Sequence, residues 1–460
     1  MFLQTEENRV NNTDMKIVSK IVNTMIVFVA ANAYLLAKSG YIKNITEVAV
    51  FIAYIAVLVC PVCGVRNIRL ARLKRCQKGC EQLYAFLASL TFGIIFQVAV
   101  IFMGCIAPVT FTVKDWIFDI LLIVAVETCL FWVGIIRVYM ASSQIGIKWR
   151  VIGAVCGMIP IVNLVVLGKI LSVASQEVVF ENHKIILNEK RSAEKMCATK
   201  YPILMVHGVF FRDFRYFNYW GRIPEELQKN GAVIYYGNHQ SASSVKDSGQ
   251  EIAERIKEIV EETGCGKVNI IAHSKGGLDS RYAISKLGMD EYVASLTTVN
   301  TPHRGCEFAD YLLSKIPQAQ KDMVAKTYNE ALHKLGDDNP DFMAAVTDLT
   351  AQACAALNEE LEDPEGVYIQ SIGSCMRKSS GGRFPLNLTH KLVHLFDGEN
   401  DGLVGYKSFE WGQSYRYITV SGNRGISHGD MIDLNRENFA EFDVREFYVE
   451  IVNELKRKGL

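Results

Sequence analysis

Ser274 stands in VNIIAHSKGGLDSRY, directly after an apolar run and two residues before a pair of glycines. A serine hydroxyl is a poor nucleophile at neutral pH; it needs a base to take its proton and a sharp turn to expose it. Ala272 and Gly276, two positions to either side, are small enough to let the chain bend between a strand in KVNII and a helix in GLDSRYAISKL. Acyl chemistry also requires amide donors for an oxyanion, a histidine base and a carboxylate to orient that base. Each has a candidate. His207-Gly208 closes the apolar stretch YPILMV, so the backbone N–H groups of Val209 and Lys275 are candidates for the oxyanion hole. Asp401 lies in the glycine-rich GENDGLVG, with Asp397 and Glu399 as competing acids, and His428 follows in GISHGDMID. His303, in TPHRG, precedes these acids and reads as a structural histidine.

Nucleophile, acid and histidine in that order define the α/β-hydrolase arrangement rather than the two protease orders. The surrounding elements agree. From Tyr201 onward, short β-branched runs (YPILMVHG, AVIYYGN, KVNIIAHS, VASLTTVNTP) alternate with helical stretches such as VKDSGQEIAERIKEIVEETG. That pattern predicts an α/β class and a parallel sheet with helices on both faces over residues 200–460. Between 317 and 366 the alternation lapses into two helical patterns, DMVAKTYNEALHKLG and DFMAAVTDLTAQACAALNEELED, which form either a lid or an ordinary packing subdomain. Strands are expected again at VYIQSIG, KLVHLFDG and YRYITVSG, before a closing amphipathic helix. The aromatic run VFFRDFRYFNYWGR supplies an acyl-pocket wall or plain core; the Lys275 side chain is expected to face solvent, and Asp279 and Arg281 to anchor neighbouring elements.

The first 175 residues are of another kind. Apolar segments at 17–37, 46–65, 83–107, 116–139 and 151–174 are each close to bilayer-spanning length, which predicts an all-α transmembrane domain of about five helices, followed by a linker or connecting helix over 176–199. The basic residues between the second and third segments and between the fourth and fifth place those loops in the cytoplasm. An odd number of spans then puts the C-terminal half outside. This first part carries 16 basic against 8 acidic residues and the remainder 33 against 41, leaving no basic stripe for a nucleic-acid partner. The twelve cysteines do not suggest a disulfide framework. Cys60, Cys63, Cys76 and Cys80 have a spacing that admits either a tetrahedral zinc site or ordinary packing near span ends.

The blocks YPILMVHGVF, VNIIAHSKGG, TVNTPHRG, LTAQACAALNEE, NDGLVG and SHGDMID, in this order over about residues 200–458, resemble bacterial triacylglycerol lipases of the Pseudomonas and staphylococcal type. The resemblance implies Ser274, Asp401 and His428 as triad, Val209 and Lys275 as oxyanion donors, a lipid or other acyl-ester substrate, and no required cofactor. It favours Asp401 over its neighbours because that residue falls within NDGLV. It also implies a calcium ligand at Asp430, although the partner aspartate is missing between 376 and 396. Together with the apolar segments, the expectation is a lipase or esterase integral to a bacterial plasma membrane, with its hydrolase part outside. An acyltransferase or thioesterase using the same triad, and a non-catalytic membrane scaffold with a vestigial hydrolase domain, are the alternatives.

Overall fold

A computed structural model describes residues 6–65, 67–104, 111–159, 161–209, 218–334, 336–439 and 441–460, with the side chains of 6–14 and 103–104 left aside. It divides into two compact units, Met1–Glu189 and Lys190–Leu460.

The first unit is helical: α1 (Glu6–Ala31), α2 (Ala33–Lys38), α3 (Asn44–Val59), α4 (Ala71–Gly104), α5 (Val113–Ala141), α6 (Gly146–Cys156) and α7 (Val162–Arg191), whose last two residues belong to the second unit. Three helical stretches, Ala71–Phe102, Val113–Ala141 and Val162–Glu194, are long and apolar enough to cross a membrane. This differs from the five expected segments for local reasons. The first segment breaks at Asn32 between α1 and α2, and the second forms a helix of only 16 residues, about 24 Å long. The fifth is interrupted between α6 and α7, where Ile161 takes a left-handed φ of 66°. Helix α7 then continues through most of the stretch read as a linker. Many large apolar side chains of this unit face outward, among them Ile95, Phe102, Phe118, Leu121 and Trp132, while Asn23, Glu81, Asp119, Glu127 and Glu177 are buried inside.

The second unit is built on a six-stranded, all-parallel sheet: β1 (Ile203–Val206), β2 (Ile234–Tyr236), β3 (Val268–His273), β4 (Val293–Val299), β5 (Tyr368–Ser374) and β6 (Ser414–Ile418), in the order β2-β1-β3-β4-β5-β6. Its helices are α8 (Ile223–Lys229), α9 (Val245–Thr263), α10 (Lys275–Lys286), α11 (Glu307–Lys315), α12 (Gln318–Lys334), α13 (Phe342–Thr347), α14 (Ala351–Glu360), α15 (Leu386–Asp397) and α16 (Val444–Arg457). The central strands are continuous apolar runs because both faces are covered. Ile203 and Met205 pack on one face with Leu227 of α8 and Tyr448 and Val452 of α16. Their neighbours Leu204 and Val206 point to the other face, against Ile252 and Ile256 of α9 and Ile284 of α10.

Two expected elements come out differently. The stretch KLVHLFDG is not a strand; it is the end of α15 and its C-cap glycine. The longer of the two helical patterns is divided into α13 and α14 by Thr350, whose side chain caps the new helix by accepting from the Ala353 N–H at 3.2 Å.

Candidate active site

Strand β3 ends at His273 and helix α10 begins at Lys275, leaving Ser274 alone at the corner with φ 55° and ψ −131°. A non-glycine residue held there costs about 1–3 kcal/mol and is kept only by its surroundings. The Ser274 N–H donates to the Val299 carbonyl of β4 at 2.9 Å, tying the corner to the sheet. Glycines clear the space around it: a Cβ on Gly208 would lie 2.8 Å from Ser274 Cβ, and one on Gly276 only 2.4 Å from the His207 carbonyl oxygen. The small residues legible around the serine are therefore required by the close passage of the chain after β1.

His428 Nδ1 lies 2.6 Å from Asp401 Oδ2, and the His428 N–H donates to the Asp401 carbonyl at 2.9 Å. The acid is fully buried and held on both oxygens: Leu403 N–H and Val404 N–H donate to Oδ1 at 2.9 Å each, and Asn300 Nδ2 donates to Oδ2 at 2.6 Å. The competing acids are engaged elsewhere. Asp397 accepts from the Glu307 and Phe308 N–H groups at the start of α11, at 2.9 and 3.1 Å, and Glu399 accepts from the Tyr417 hydroxyl at 3.3 Å. The His428 ring centroid is 4.4 Å from that of His273, so the imidazole stands against the residue preceding the serine. Among the described residues the Ser274 hydroxyl has no hydrogen bond; catalytic contacts commonly close only on substrate binding.

Lys275 is the first residue of α10, so its N–H has no acceptor within the helix. Val209 is buried with Ala242, Leu332 and Ala345. The aromatic run at 210–217 that follows lies outside the described residues. Contrary to expectation, the Lys275 side chain is buried: its Nζ is 2.6 Å from Asp279 Oδ1 and 3.0 Å from Ser248 Oγ of α9. The reason is helical spacing, which stacks residues four apart and points both toward α9. Burial pushes the Asp279 carboxyl up to about 7, against the pull of Lys275. Arg281 does anchor its surroundings, donating to Asn358 Oδ1 at 2.9 Å and stacking over Trp411 with 3.7 Å to the ring centroid. His303 is a structural residue: it is fully buried, 2.9 Å from Thr298 Oγ1, and burial pushes its pKa well below the usual histidine value.

Two residues of the site were not singled out, although Asn300 lies in TVNTPHRG and Tyr219 in the aromatic run. Asn300 braces Asp401 from the end of β4, and the Tyr219 hydroxyl lies 2.7 Å from His273 Nδ1 behind the nucleophile. The available signal for Asn300 was its type, since asparagine tolerates the left-handed φ of 49° found there.

The residues read as metal ligands have other surroundings in the structure. Both oxygens of Asp430 are held by Arg424, Nη1 to Oδ2 at 3.0 Å and Nη2 to Oδ1 at 2.9 Å, and Ser427 donates its N–H and hydroxyl to Oδ2 at 2.8 Å. A carboxylate engaged in this way does not fit a Ca²⁺ site, which needs several free oxygen ligands. Nor do the four cysteines fit zinc. Cys76 and Cys80 are buried one turn apart among Leu83, Val138 and Leu171; Cys60 is exposed, and Cys63 Sγ lies 3.5 Å from the Pro61 carbonyl. Among the described residues no three His, Cys, Asp or Glu side chains gather as a metal site.

The parallel sheet, the strand-to-helix corner at Ser274 and the late-chain acid and histidine give the second unit the α/β-hydrolase fold. Residues 201–393 match the family described as alpha/beta hydrolase fold. A triacylglycerol lipase of Burkholderia plantarii is 34% identical over 196 residues, covering 40% of this chain and 53% of that protein. One from Vibrio cholerae is 29% identical over 288 residues, covering 57% of this chain and 89% of the other. The crystal structure of Staphylococcus hyicus lipase superimposes with a TM-score of 0.46 and 20% identity, over 56% of this chain and 96% of that one. The chain spans about half the length of the Burkholderia relative.

Proposed function

We propose that this protein is a membrane-anchored serine hydrolase cleaving acyl esters of lipids. The α/β-hydrolase fold and the triacylglycerol lipase relatives support a carboxylic ester hydrolase. The observation that carries the catalytic assignment is the buried Asp401–His428 pair, 2.6 Å apart, beside a serine held at a strained corner. In this reading His428 Nε2 takes the Ser274 proton as Oγ attacks the ester carbonyl. The oxyanion accepts from the Val209 and Lys275 N–H groups, while Asp401 stabilises the imidazolium. His428 returns the proton to the leaving alkoxide, and water, activated by the same imidazole, releases the acid from the acyl-enzyme.

Two features support a lipid substrate. Tyr311 and Leu312 on α11, Met323 on α12, and Leu388, Leu392 and Leu395 on α15 are exposed apolar residues of the hydrolase unit, more than isolated surface leucines would need. The first unit, with large apolar residues facing outward and several acids buried among its helices, has the composition of a bilayer anchor. The loop charges support a topology with the hydrolase unit outside the cytoplasm, as expected for a bacterial plasma-membrane protein.

Ser274→Ala should lower hydrolysis of a graded series of acyl esters by at least about 10⁴-fold and abolish fluorophosphonate labelling. A variant that keeps wild-type activity overturns the assignment. Adding a competing alcohol and measuring the ratio of free acid to new ester separates hydrolysis from acyl transfer.

A further inference from the structure

A cavity of about 390 Å³ lies within the first unit, lined by α4, α5, α6 and α7. That is the size of sites that take a small organic ligand. Its wall is mostly apolar, with Phe131, Trp132, Leu164, Leu167 and Ile170, interrupted by Thr128, Tyr139 and Asn163, and it extends along α5 from Ile123 to Tyr139, about 24 Å of helix. Glu127 also lines a second cavity of about 180 Å³ next to Asn32 and Gln97, so this carboxyl stands where the two adjoin.

Glu127 is 5% exposed. Its Oε1 accepts from the Ser89 hydroxyl at 2.7 Å, while Oε2 has no hydrogen-bond partner. The other buried acids of the unit differ. Glu177 is held by Arg72, Ser142 and Ser143, Glu81 by Gln77, Ser19 and the Gly64 N–H, and Asp119 by Gln97 and the Leu35 N–H. Among the described residues Glu127 is the buried acid that keeps an oxygen with no partner. A polar group buried among apolar helices without a partner costs free energy that a bound donor would recover.

We propose that this cavity is a lipid site. Its ligand is a single acyl chain whose head carries a hydroxyl, as in a monoacylglycerol, with the chain along α5 and the hydroxyl donating to Glu127. A hydroxyl satisfies the oxygen without bringing a second charge into an apolar wall, where a cation would have to be desolvated. The proposal rests on the membrane reading of the first unit but not on the triad.

The test uses the full chain carrying Ser274→Ala, so that no ester is consumed, in phosphatidylcholine nanodiscs. A chain-brominated monoacylglycerol is titrated against tryptophan fluorescence, with Trp132→Phe isolating the signal from the cavity wall. Saturable quenching is expected, about tenfold weaker for the brominated fatty-acid methyl ester, which has no donor. Glu127→Leu should erase this preference, while Glu127→Gln, which keeps an acceptor oxygen, should retain binding within a few-fold. Leu167→Phe, narrowing the cavity without touching the acid or adding a tryptophan, should remove the saturable component even if Glu127→Leu fails to fold. Equal, non-saturating quenching by both lipids overturns the proposal. A chain that does not float with vesicles overturns the membrane reading and the proposal with it, whereas a chain that floats without saturable quenching overturns the lipid site alone.

Discussion

Asn300 binds Asp401 Oδ2 at 2.6 Å and Ser374 Oγ at 2.7 Å, joining the ends of β4 and β5 to the acid. A hydrogen bond to a charged group is worth about 1.5–3 kcal/mol, so Asn300→Ala should lower kcat about 10- to 100-fold with KM little changed, measured on a soluble short-chain ester. Ser274, Asp401 and His428 were singled out because each sits in a short motif whose chemistry is local, and the structure sets the acid and the histidine in contact. Asn300 was not, because its role depends on which strand ends lie side by side. The Lys275–Asp279 pair shows the same limit: the lysine was expected to face solvent, and its burial with Asp279 depends on the packing of α9. Removing the cation alone, as in Lys275→Met, leaves the buried Asp279 carboxyl without its partner and should cost about 1–3 kcal/mol, whereas Lys275→Met with Asp279→Leu should cost less. With its carboxyl raised to about 7 in the folded chain, Asp279 contributes stability below about pH 4 that is lost as pH rises through 7. The stability difference between wild type and the double variant, read by urea unfolding, should therefore shift against wild type over that window.

At the scale of elements, α15 explains one error of reading. KLVHLFDG is a short apolar run, which periodicity alone cannot divide between strand and helix. Its neighbours decide: Leu386 and Val393 are buried, Leu388, Leu392 and Leu395 exposed, and Thr389 Oγ1 donates to the Gly402 carbonyl at 2.5 Å, bracing the loop of the acid. The parallel sheet, by contrast, was legible because its buried strands are continuous β-branched runs bounded by glycine and asparagine. The loop carrying His428 is held from the other side by Arg424, which grips Asp430 with both terminal nitrogens and lies over Phe439 at 4.1 Å. With both Asp430 oxygens taken by Arg424, chelator or added Ca²⁺ should leave both activity and melting temperature of the wild type unchanged. Arg424→Ala should lower kcat and the melting temperature together, with partial recovery in Arg424→Lys. Inactivation by chelator, reversed by Ca²⁺, would overturn this reading of the loop.

On the scale of the whole molecule, an ester hydrolase fold and a membrane-type helical unit on one chain pose a question of concentration. A tether confines a site to the surface where its substrate lies and raises the effective concentration without adding any contact to the substrate. The consequence is separable from catalysis. Arg191 belongs with the hydrolase unit, pairing with Glu446 through Nη2 and Oε2 at 3.0 Å and lying 3.6 Å from Glu226, so a detached unit must retain it. A chain starting at Lys190 should keep the wild-type rate on a short-chain ester in solution, because all the residues assigned to catalysis lie within it. On acylglycerol packed in vesicles at low protein concentration it should lose at least about tenfold, and the loss should shrink as vesicle concentration rises, since the tether acts through local concentration alone. Equal loss on both substrates would instead make the helical unit a requirement for folding of the hydrolase, and a loss that no vesicle concentration repairs would make it part of substrate delivery.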